Sequence, residues 1–382
     1  MLLKGTNQGL ARPYNRRVVL ETVRLFGPLS RAEIARRTGL TPPAVNAITG
    51  ALEDEGLLKT AGRRRGNRGQ PPLDYAIDPR GGYSLGLHLD RDRLIGVATD
   101  LAGSLLARLE APVDDPRPDA ALPMLEAMCR QLVGRAGRGH GPAAGIGLVL
   151  PGPFDDKDDD DPLRLPGWSS AAPAEALGAA LDLPVAVEND ATAAAVGERL
   201  HGAARQMTDF AYVFFGYGLG AGLMVGGAPF DGARGNAGEV GRLIVDPAAT
   251  GAARRLEHRV SLDAIDRLFI ARGRTPPAPA DLTRLVTEGD ADLGRWLASA
   301  GPWLDIGLQA LEALFDPAAI LLGGIVPPAF IDALIAAAGQ REEDRPPLIA
   351  ATAGGDAGAL GAAALPVFQS FTPRLAPEGA PT

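Results

Sequence analysis

Residues 29–56, LSRAEIARRTGLTPPAVNAITGALEDEG, decide how the N-terminal end of the chain is read. Ser30 and Glu33 stand at the spacing of a capping box, in which a hydroxyl and a carboxylate satisfy the free amides of a helix start. Leu29 and Ile34 flank them as a hydrophobic staple, so a short helix is expected from here to about Arg37. Thr38-Gly39-Leu40 gives a tight turn, after which Thr41 and Pro42 read as an N-cap and a first helical position. In the next helix Val45, Ile48 and Leu52 recur at i, i+3 and i+7 and are expected to face a core. Pro43, Asn46 and Thr49 then lie opposite, where the second helix of a helix-turn-helix meets base edges and an Asn can pair bidentately with adenine.

Working outward, residues 14–26 place Val18, Val19, Thr22, Val23 and Phe26 at helical spacing, and Gly27-Pro28 ends that helix. Downstream, residues 61–77, AGRRRGNRGQPPLDYAI, hold an arginine cluster between glycines and then a short apolar alternation, which suits a β-wing. Arg63, Arg64, Arg65 and Arg68 there can follow phosphates or enter a narrow minor groove; a solvated charged loop is the bland alternative. The capped helix pair, its turn and the wing arrive in the order of a winged helix-turn-helix. Its expected DNA-binding residues are Arg31, Thr41, Pro43, Asn46, Thr49 and the four wing arginines.

Charge divides the chain in the same place. Residues 1–80 carry 14 Lys and Arg against 7 Asp and Glu, a surplus of +7, so the formal net charge of −8 leaves −15 on the rest of the 382 residues. A cationic head on an acidic body points to a polyanion-binding module joined to something unrelated. With 46% hydrophobic and 22% charged residues the chain can bury sizeable cores and is not a disordered one. A single cysteine, Cys129, excludes an intramolecular disulfide framework and a multi-cysteine zinc site. No apolar run is long enough to span a bilayer and no signal-peptide core is present, so a cytoplasmic protein without membrane contact is expected.

The body reads as α/β. YSLGLHLD and RLIGVATD form a hairpin-like pair from Tyr83, a third strand follows at 105–111, and a helix is expected at 122–133. Residues 145–150 and 184–188 read as further strands, each followed by helical sequence, giving βββαβαβα. The order then begins again with strands at 210–215 and 221–225, a long helix at 291–315, a strand at 319–322 and a closing helix after Asp356. Two similar halves imply a cleft between them. The expected division is 1–80 for the winged head, 81–205 for the first lobe and 206–382 for the second. The acidic run Asp155-Asp156-Lys157-Asp158-Asp159-Asp160-Asp161 reads as a solvated loop with no chemistry.

Taken in order, Gly39-Leu40 with the wing, Pro151-Gly152-Pro153, Leu165-Pro166-Gly167-Trp168, Val187-Glu188-Asn189-Asp190-Ala191, the glycine-rich 216–222, Gly235-Asn236-Ala237-Gly238-Glu239-Val240-Gly241, Leu322-Gly323-Gly324 and Gly358-Ala359-Leu360-Gly361-Ala362-Ala363 make the chain resemble the ROK family (repressors, open reading frames and sugar kinases) over nearly its whole length. The head places the resemblance with the family's transcriptional regulators of the xylose, N-acetylglucosamine and glucose repressor type. What the resemblance implies is an actin-like, hexokinase-type fold with a sugar between two lobes. Asn189 and Asp190 match the family's sugar-binding pair, Glu239 the acid of its Ala-Gly-Glu motif, and Glu257 a further sugar-contacting acid. Asp190 would be the catalytic base in a kinase, and equally reads as a cap for the helix starting at Ala191.

The departures from the family bear on chemistry. Its kinases carry an Asp-x-Gly-Gly-Thr phosphate loop where this chain has His88-Leu89-Asp90-Arg91-Asp92, so both glycines are gone and two aspartates face the place of a triphosphate. The second loop, Gly216-Tyr217-Gly218-Leu219-Gly220, has a bulky Tyr217 where the kinases usually have Thr. Neither ATP nor phosphoryl transfer is expected. The family's zinc motif would fall within residues 241–257, which hold no cysteine, and Arg242 stands in place of its His, so no zinc is expected. Arg242 reads either as a ligand-facing guanidinium, which would bind a carboxylate or phosphate, or as one half of an internal ion pair with Glu239 or Glu257.

The function expected is that of a sequence-specific DNA-binding transcriptional regulator, a repressor of carbohydrate genes controlled by a sugar or sugar derivative. Its partners would be a double-stranded operator and a second copy or more of the chain, as homodimer or homotetramer. The rivals are an ATP-dependent sugar kinase that keeps a DNA-binding head, and a ligand-free regulator whose cleft serves only assembly.

Overall fold

The computed structural model describes residues 12–63, 73–152, 165–168, 172–339, 342 and 344–371. The wing arginines Arg64, Arg65 and Arg68 and the acidic run at 155–161 lie outside them. The head comprises α1 (Arg12–Phe26), β1 (Leu29–Ser30), α2 (Arg31–Thr38), α3 (Pro42–Asp54), β2 (Leu58–Arg63) and β3 (Leu73–Ile77), with the three strands ordered β1-β3-β2.

The local rules act as the sequence implies. The Ser30 hydroxyl accepts from the Glu33 amide at 3.3 Å while the Glu33 carboxylate accepts from the Ser30 amide at 2.9 Å, completing the capping box. Gly39 takes φ 69, which a residue without Cβ adopts at little cost, and so turns the chain from α2 into α3. Thr41 stands at the N-cap of α3 but its side chain makes no cap hydrogen bond; Pro42 at the first position, which has no amide to satisfy, begins the helix. Val18, Val19, Thr22 and Val23 are buried as expected, but Phe26 is 49% exposed, with the Arg37 guanidinium 4.4 Å from its ring centroid. Leu20 fills the core position instead.

The body consists of two sheets of the same topology. The first contains β4 (Tyr83–Leu89), β5 (Arg93–Asp100), β6 (Leu105–Pro112), β7 (Ala143–Leu150) and β8 (Val185–Asn189), with α4 (Pro118–Ala136) and α5 (Pro173–Leu181) in its crossovers and α6 (Asp190–His201) leaving it. The second contains β9 (Phe210–Phe215), β10 (Leu219–Val225), β11 (Ala228–Pro229), then α7 (Leu262–Ala271), α8 (Leu282–Glu288), α9 (Ala291–Phe315), β12 (Ile320–Gly324), α10 (Pro328–Ala337) and β13 (Leu348–Ala350); α11 (Ala357–Phe371) closes the chain. The strand orders are β6-β5-β4-β7-β8 and β11-β10-β9-β12-β13, so in each sheet a three-stranded antiparallel meander is extended on its first strand by two parallel strands. That repeat matches the two halves read from the sequence.

One boundary changes. The closing helix α11, placed with the second lobe by sequence order, packs on β4 and β7 of the first sheet and along α6, while α6 packs on β9 and β10 of the second. The two helices therefore form the layer between the sheets. Small residues make this approach possible: a methyl group on Gly86 or Gly147 would strike the carbonyls of Ala359 or Ala362, and one on Gly361 would strike that of Ala193. The head is not a separate bead, because Leu101 of the first lobe and Val367 of α11 belong to the same buried cluster as Val19, Val23 and Leu52.

Candidate functional site

The lobe cleft is built where the parallel strands end, the usual place for a ligand in an open α/β sheet. Strand β8 stops at Asn189 because that residue caps α6: its Oδ1 accepts from the Thr192 amide at 2.8 Å. The cap role weighed for Asp190 thus belongs to Asn189, while Asp190 Oδ1 accepts from the Ala191 amide at 2.8 Å and its carboxyl lines the cleft. Across the cleft, the Ala221 amide donates to the Gly238 carbonyl at 2.8 Å, fastening the 235–241 loop to β10. Gly238 has φ 88 and a methyl there would run into the Ala221 carbonyl, so glycine is needed to aim Glu239 into the cleft.

The segment that follows folds back on itself. Ile244 and Arg255 form an antiparallel bridge, the Leu256 amide donates to the Leu243 carbonyl at 2.9 Å, and Arg259 Nη2 donates to Asp246 Oδ2 at 2.6 Å. These contacts bring Arg242 and Glu239 opposite Arg255 and Glu257. All five residues expected to bind a sugar, Asn189, Asp190, Glu239, Arg242 and Glu257, line this one cavity of about 60 Å³. Among the described residues no group of three His, Cys, Asp or Glu is placed to hold a metal ion, and the residues of the 241–257 segment do not fit the family's zinc.

Two charged neighbours were given no role by the sequence: Arg255, which lies in no motif, and Glu188, which stands inside the motif at 187–191. Arg255 lines the cavity and its Nη1 lies 3.4 Å from Glu257 Oε1. Glu188 Oε1 accepts from the Asn189 amide at 2.8 Å and from Asn189 Nδ2 at 3.0 Å, holding the amide side chain in one orientation. Burial, reinforced by Asp90 and then Glu239, pushes the Asp190 carboxyl up to about 8, and burial pushes Glu188 up to about 7. At neutral pH the cleft therefore presents protonated carboxyl as well as carboxylate, guanidinium and amide, a set able both to donate to and accept from sugar hydroxyls.

The two loops aligned by resemblance with the kinases' phosphate loops touch each other. Asp90 is buried, its Oδ1 accepting from the Arg91 amide at 2.7 Å, and the Arg91 guanidinium lies 4.7 Å from the centroid of the Tyr217 ring. The two loops that would cradle phosphates are thus latched to each other, and the residues do not fit ATP.

In the head, α3 presents Thr41, Pro43 and Asn46 to solvent on its first turns. Thr49 is corrected: it is fully buried, its hydroxyl donates to the Val45 carbonyl at 2.9 Å, and Arg31 Nε donates to its Oγ1 at 2.9 Å. Ile48, assigned to the core, is only partly buried against it. Arg31 is half-buried, its guanidinium 4.8 Å from the Tyr75 ring centroid, so it ties α2 to α3 and β3. Arg63 ends β2, at the base of the wing.

Comparison with known proteins agrees with both halves. A winged helix-turn-helix DNA-binding family model matches residues 14–59. The chain is 24% identical to the xylose repressor of Bacillus spizizenii over 319 residues, 83% of each protein. A solved ROK family transcriptional regulator, a homologue of the E. coli MLC protein, superimposes with a TM-score of 0.75 at 22% identity, covering 94% of this chain and 96% of that one. A ROK hexokinase from Thermus thermophilus superimposes with a TM-score of 0.59 at 30% identity, covering 74% of this chain and 97% of that one. No helix among the described residues is long and apolar enough to cross a membrane. The ROK family model matches residues 85–367, nearly the whole two-lobed body, and with the cleft residues in their places the chain belongs to the ROK family.

Proposed function

We propose that this chain is a transcriptional repressor that binds operator DNA through α3 and the wing and answers to a sugar or sugar derivative in the lobe cleft. The observation that carries the reading is the joining, through Leu101 and Val367, of a winged head whose α3 presents Thr41 and Asn46 to solvent to a body whose cleft gathers five sugar-matching residues and whose aligned phosphate loops are joined by Arg91 and Tyr217.

Thr41, Pro43 and Asn46 meet the major groove, Arg31 holds α3 at the right angle, and the wing arginines Arg63, Arg64, Arg65 and Arg68 contact phosphates. Two copies bind a pseudo-palindromic site. In the cleft, Asn189, Asp190, Glu239 and Glu257 orient hydroxyls and Arg242 pairs with a neighbouring acid or an acidic ligand group. A cavity of about 60 Å³ is far below the roughly 300 Å³ at which small-molecule sites begin, so the effector enters with the lobes further apart. Binding that favours the open arrangement over the closed one shifts the population between them, and α6, which begins at the cleft and ends beside the head, carries the change. No phosphoryl transfer takes place.

The test is capture of fragmented DNA from the protein's own source at moderate salt, followed by sequencing. An enriched inverted repeat, released by the sugar whose genes adjoin it, is the expected result. Retention without a shared site, lost on raising salt, would reduce the head to a phosphate binder and end the regulator reading.

A further inference from the structure

A larger cavity lies away from the cleft, at the joint between head and body. It measures about 260 Å³, is open on one side, and is lined by α1 of the head, the 99–104 turn at the end of β5, the end of α6 and one side of α11. Arg24, Asp100, Ser104, His201 and Arg205 give it polar walls, and Leu101 with the alanines of α11 gives it an apolar floor.

We propose that this cavity is a second ligand site, independent of the lobe cleft, for a monosaccharide-sized polyol bearing one phosphate or carboxylate. Its volume is close to the lower end of small-molecule sites, roughly 300 Å³, and over four times that of the cleft. Most of its wall is already fixed. Arg24 is clamped by Glu21 at 2.8 and 2.6 Å, and Asp100 Oδ1 accepts from the Ala102 and Ser104 amides at 2.9 and 2.8 Å. Two groups are not spent on the fold. Among the described residues Arg205 has no carboxylate partner and His201 has no hydrogen-bond partner, although its ring sits against the 100–104 turn at Gly103.

The division of labour follows from chemistry. Arg205, exposed at the rim, offers a planar fork for a carboxylate or phosphate. Burial, and then the Arg205 charge, keep the His201 imidazole below its usual range, so it is neutral and supplies one donor and one acceptor for hydroxyls, as does Ser104. The apolar floor suits the C–H face of a sugar ring. A ligand here touches α1 of the DNA-binding head directly, and α6 joins it to Asn189 and Asp190 about 18 Å away along a helix of 12 residues.

The experiment titrates the intact chain with glucose 6-phosphate, gluconate and inorganic phosphate, by calorimetry at up to millimolar concentration, in wild type and three variants. Arg205→Ala and Ser104→Phe alter exposed positions, so the fold should survive, which circular dichroism checks. The expected result is that glucose 6-phosphate or gluconate binds, that Arg205→Ala weakens it by about tenfold to a hundredfold, that Ser104→Phe abolishes it by filling the cavity, and that Arg130→Ala, an exposed change on α4 outside the cavity, leaves it unchanged. Binding of glucose 6-phosphate distinguishes a phosphate ligand, binding of gluconate a carboxylate one. The proposal is overturned if neither sugar acid binds, if inorganic phosphate binds as tightly as either, or if both cavity variants bind as tightly as the wild type.

Discussion

The Arg91 guanidinium lies over the face of Tyr217, 4.7 Å from the ring centroid, and joins the loop after β4 to the loop before β10. Each residue lies in a loop that the resemblance aligns with a phosphate loop of the family's kinases, and the contact joins the two loops. Burial, with Asp92, Asp266 and Asp90 nearby, pushes the Tyr217 hydroxyl up to about 12, so it stays a neutral phenol beside the Arg91 guanidinium. We expect no sugar-dependent ATP consumption from the purified protein across a sugar panel, measured by coupled ADP release. Turnover that Asp190→Asn abolishes would restore the kinase reading.

On α3 the two neighbours Asn46 and Thr49 should separate cleanly. Asn46 is exposed and Thr49 fully buried against Arg31. Asn46→Ala is expected to weaken binding to the enriched operator by about tenfold to a hundredfold while leaving the thermal midpoint within a degree or so. Thr49→Val, which leaves Arg31 Nε without its acceptor, should instead lower stability by about 1–3 kcal/mol. Titrations of labelled operator and melting curves on the same preparations decide between these roles.

That contrast shows what the sequence could and could not reveal. The ends of α2 and the turn at Gly39 are set by neighbours in the chain, a capping box and a left-handed glycine, so they were legible. Which residues of α3 and α1 are buried is set by partners brought from elsewhere: Arg31, itself over the Tyr75 ring, bonds to Thr49, and Arg37 covers the outward Phe26. The same applies to α11, whose partner strand β4 lies more than 250 residues earlier, so order along the chain assigned it to the wrong lobe. In the cleft, the Asn189-Asp190 pair and Glu239 sit in recognisable motifs. Arg255 joins them only because a bridge at Ile244 puts it there, and the role of Glu188, in the same motif as Asn189, shows only in its hydrogen bonds to Asn189.

Asp190 makes stability depend on pH in an unusual direction. Its carboxyl is raised from an ordinary 3.8 to about 8 in the folded chain, chiefly by burial. Because the folded value is the higher one, the contribution is fully present below the ordinary value and is lost as pH climbs through about 8; Glu188, raised to about 7, acts in the same sense. Asp190→Asn removes the larger titration. At about 1.4 kcal/mol per pKa unit, heavily discounted for its residual exposure to the cleft, the variant is expected to exceed the wild type by about 2 kcal/mol above pH 8 and to lose that advantage in acid. Urea midpoints across the range measure the crossing, and parallel curves would show that Asp190 titrates normally.

Gly361 tests whether α6 and α11 act as one body. It faces Ala193, and a methyl there would strike the Ala193 carbonyl, a backbone atom that cannot swing aside as a side chain would. Only movement of a whole helix relieves the clash, and each helix is fixed to a different sheet: α11 to β4 and β7, α6 to β9 and β10. Gly361→Ala should therefore cost about 1–3 kcal/mol, although alanine is the better helix former and would stabilise an exposed helix. Since Val367, two turns further along α11, is buried in the core of the head, the displacement should also reach the DNA-binding surface. The expected signature is a lower urea midpoint together with altered operator affinity, even though residue 361 touches neither DNA nor the cleft. A stability loss with operator affinity unchanged would mean that head and body are not mechanically joined through this helix, and the route from cleft to DNA would have to run elsewhere.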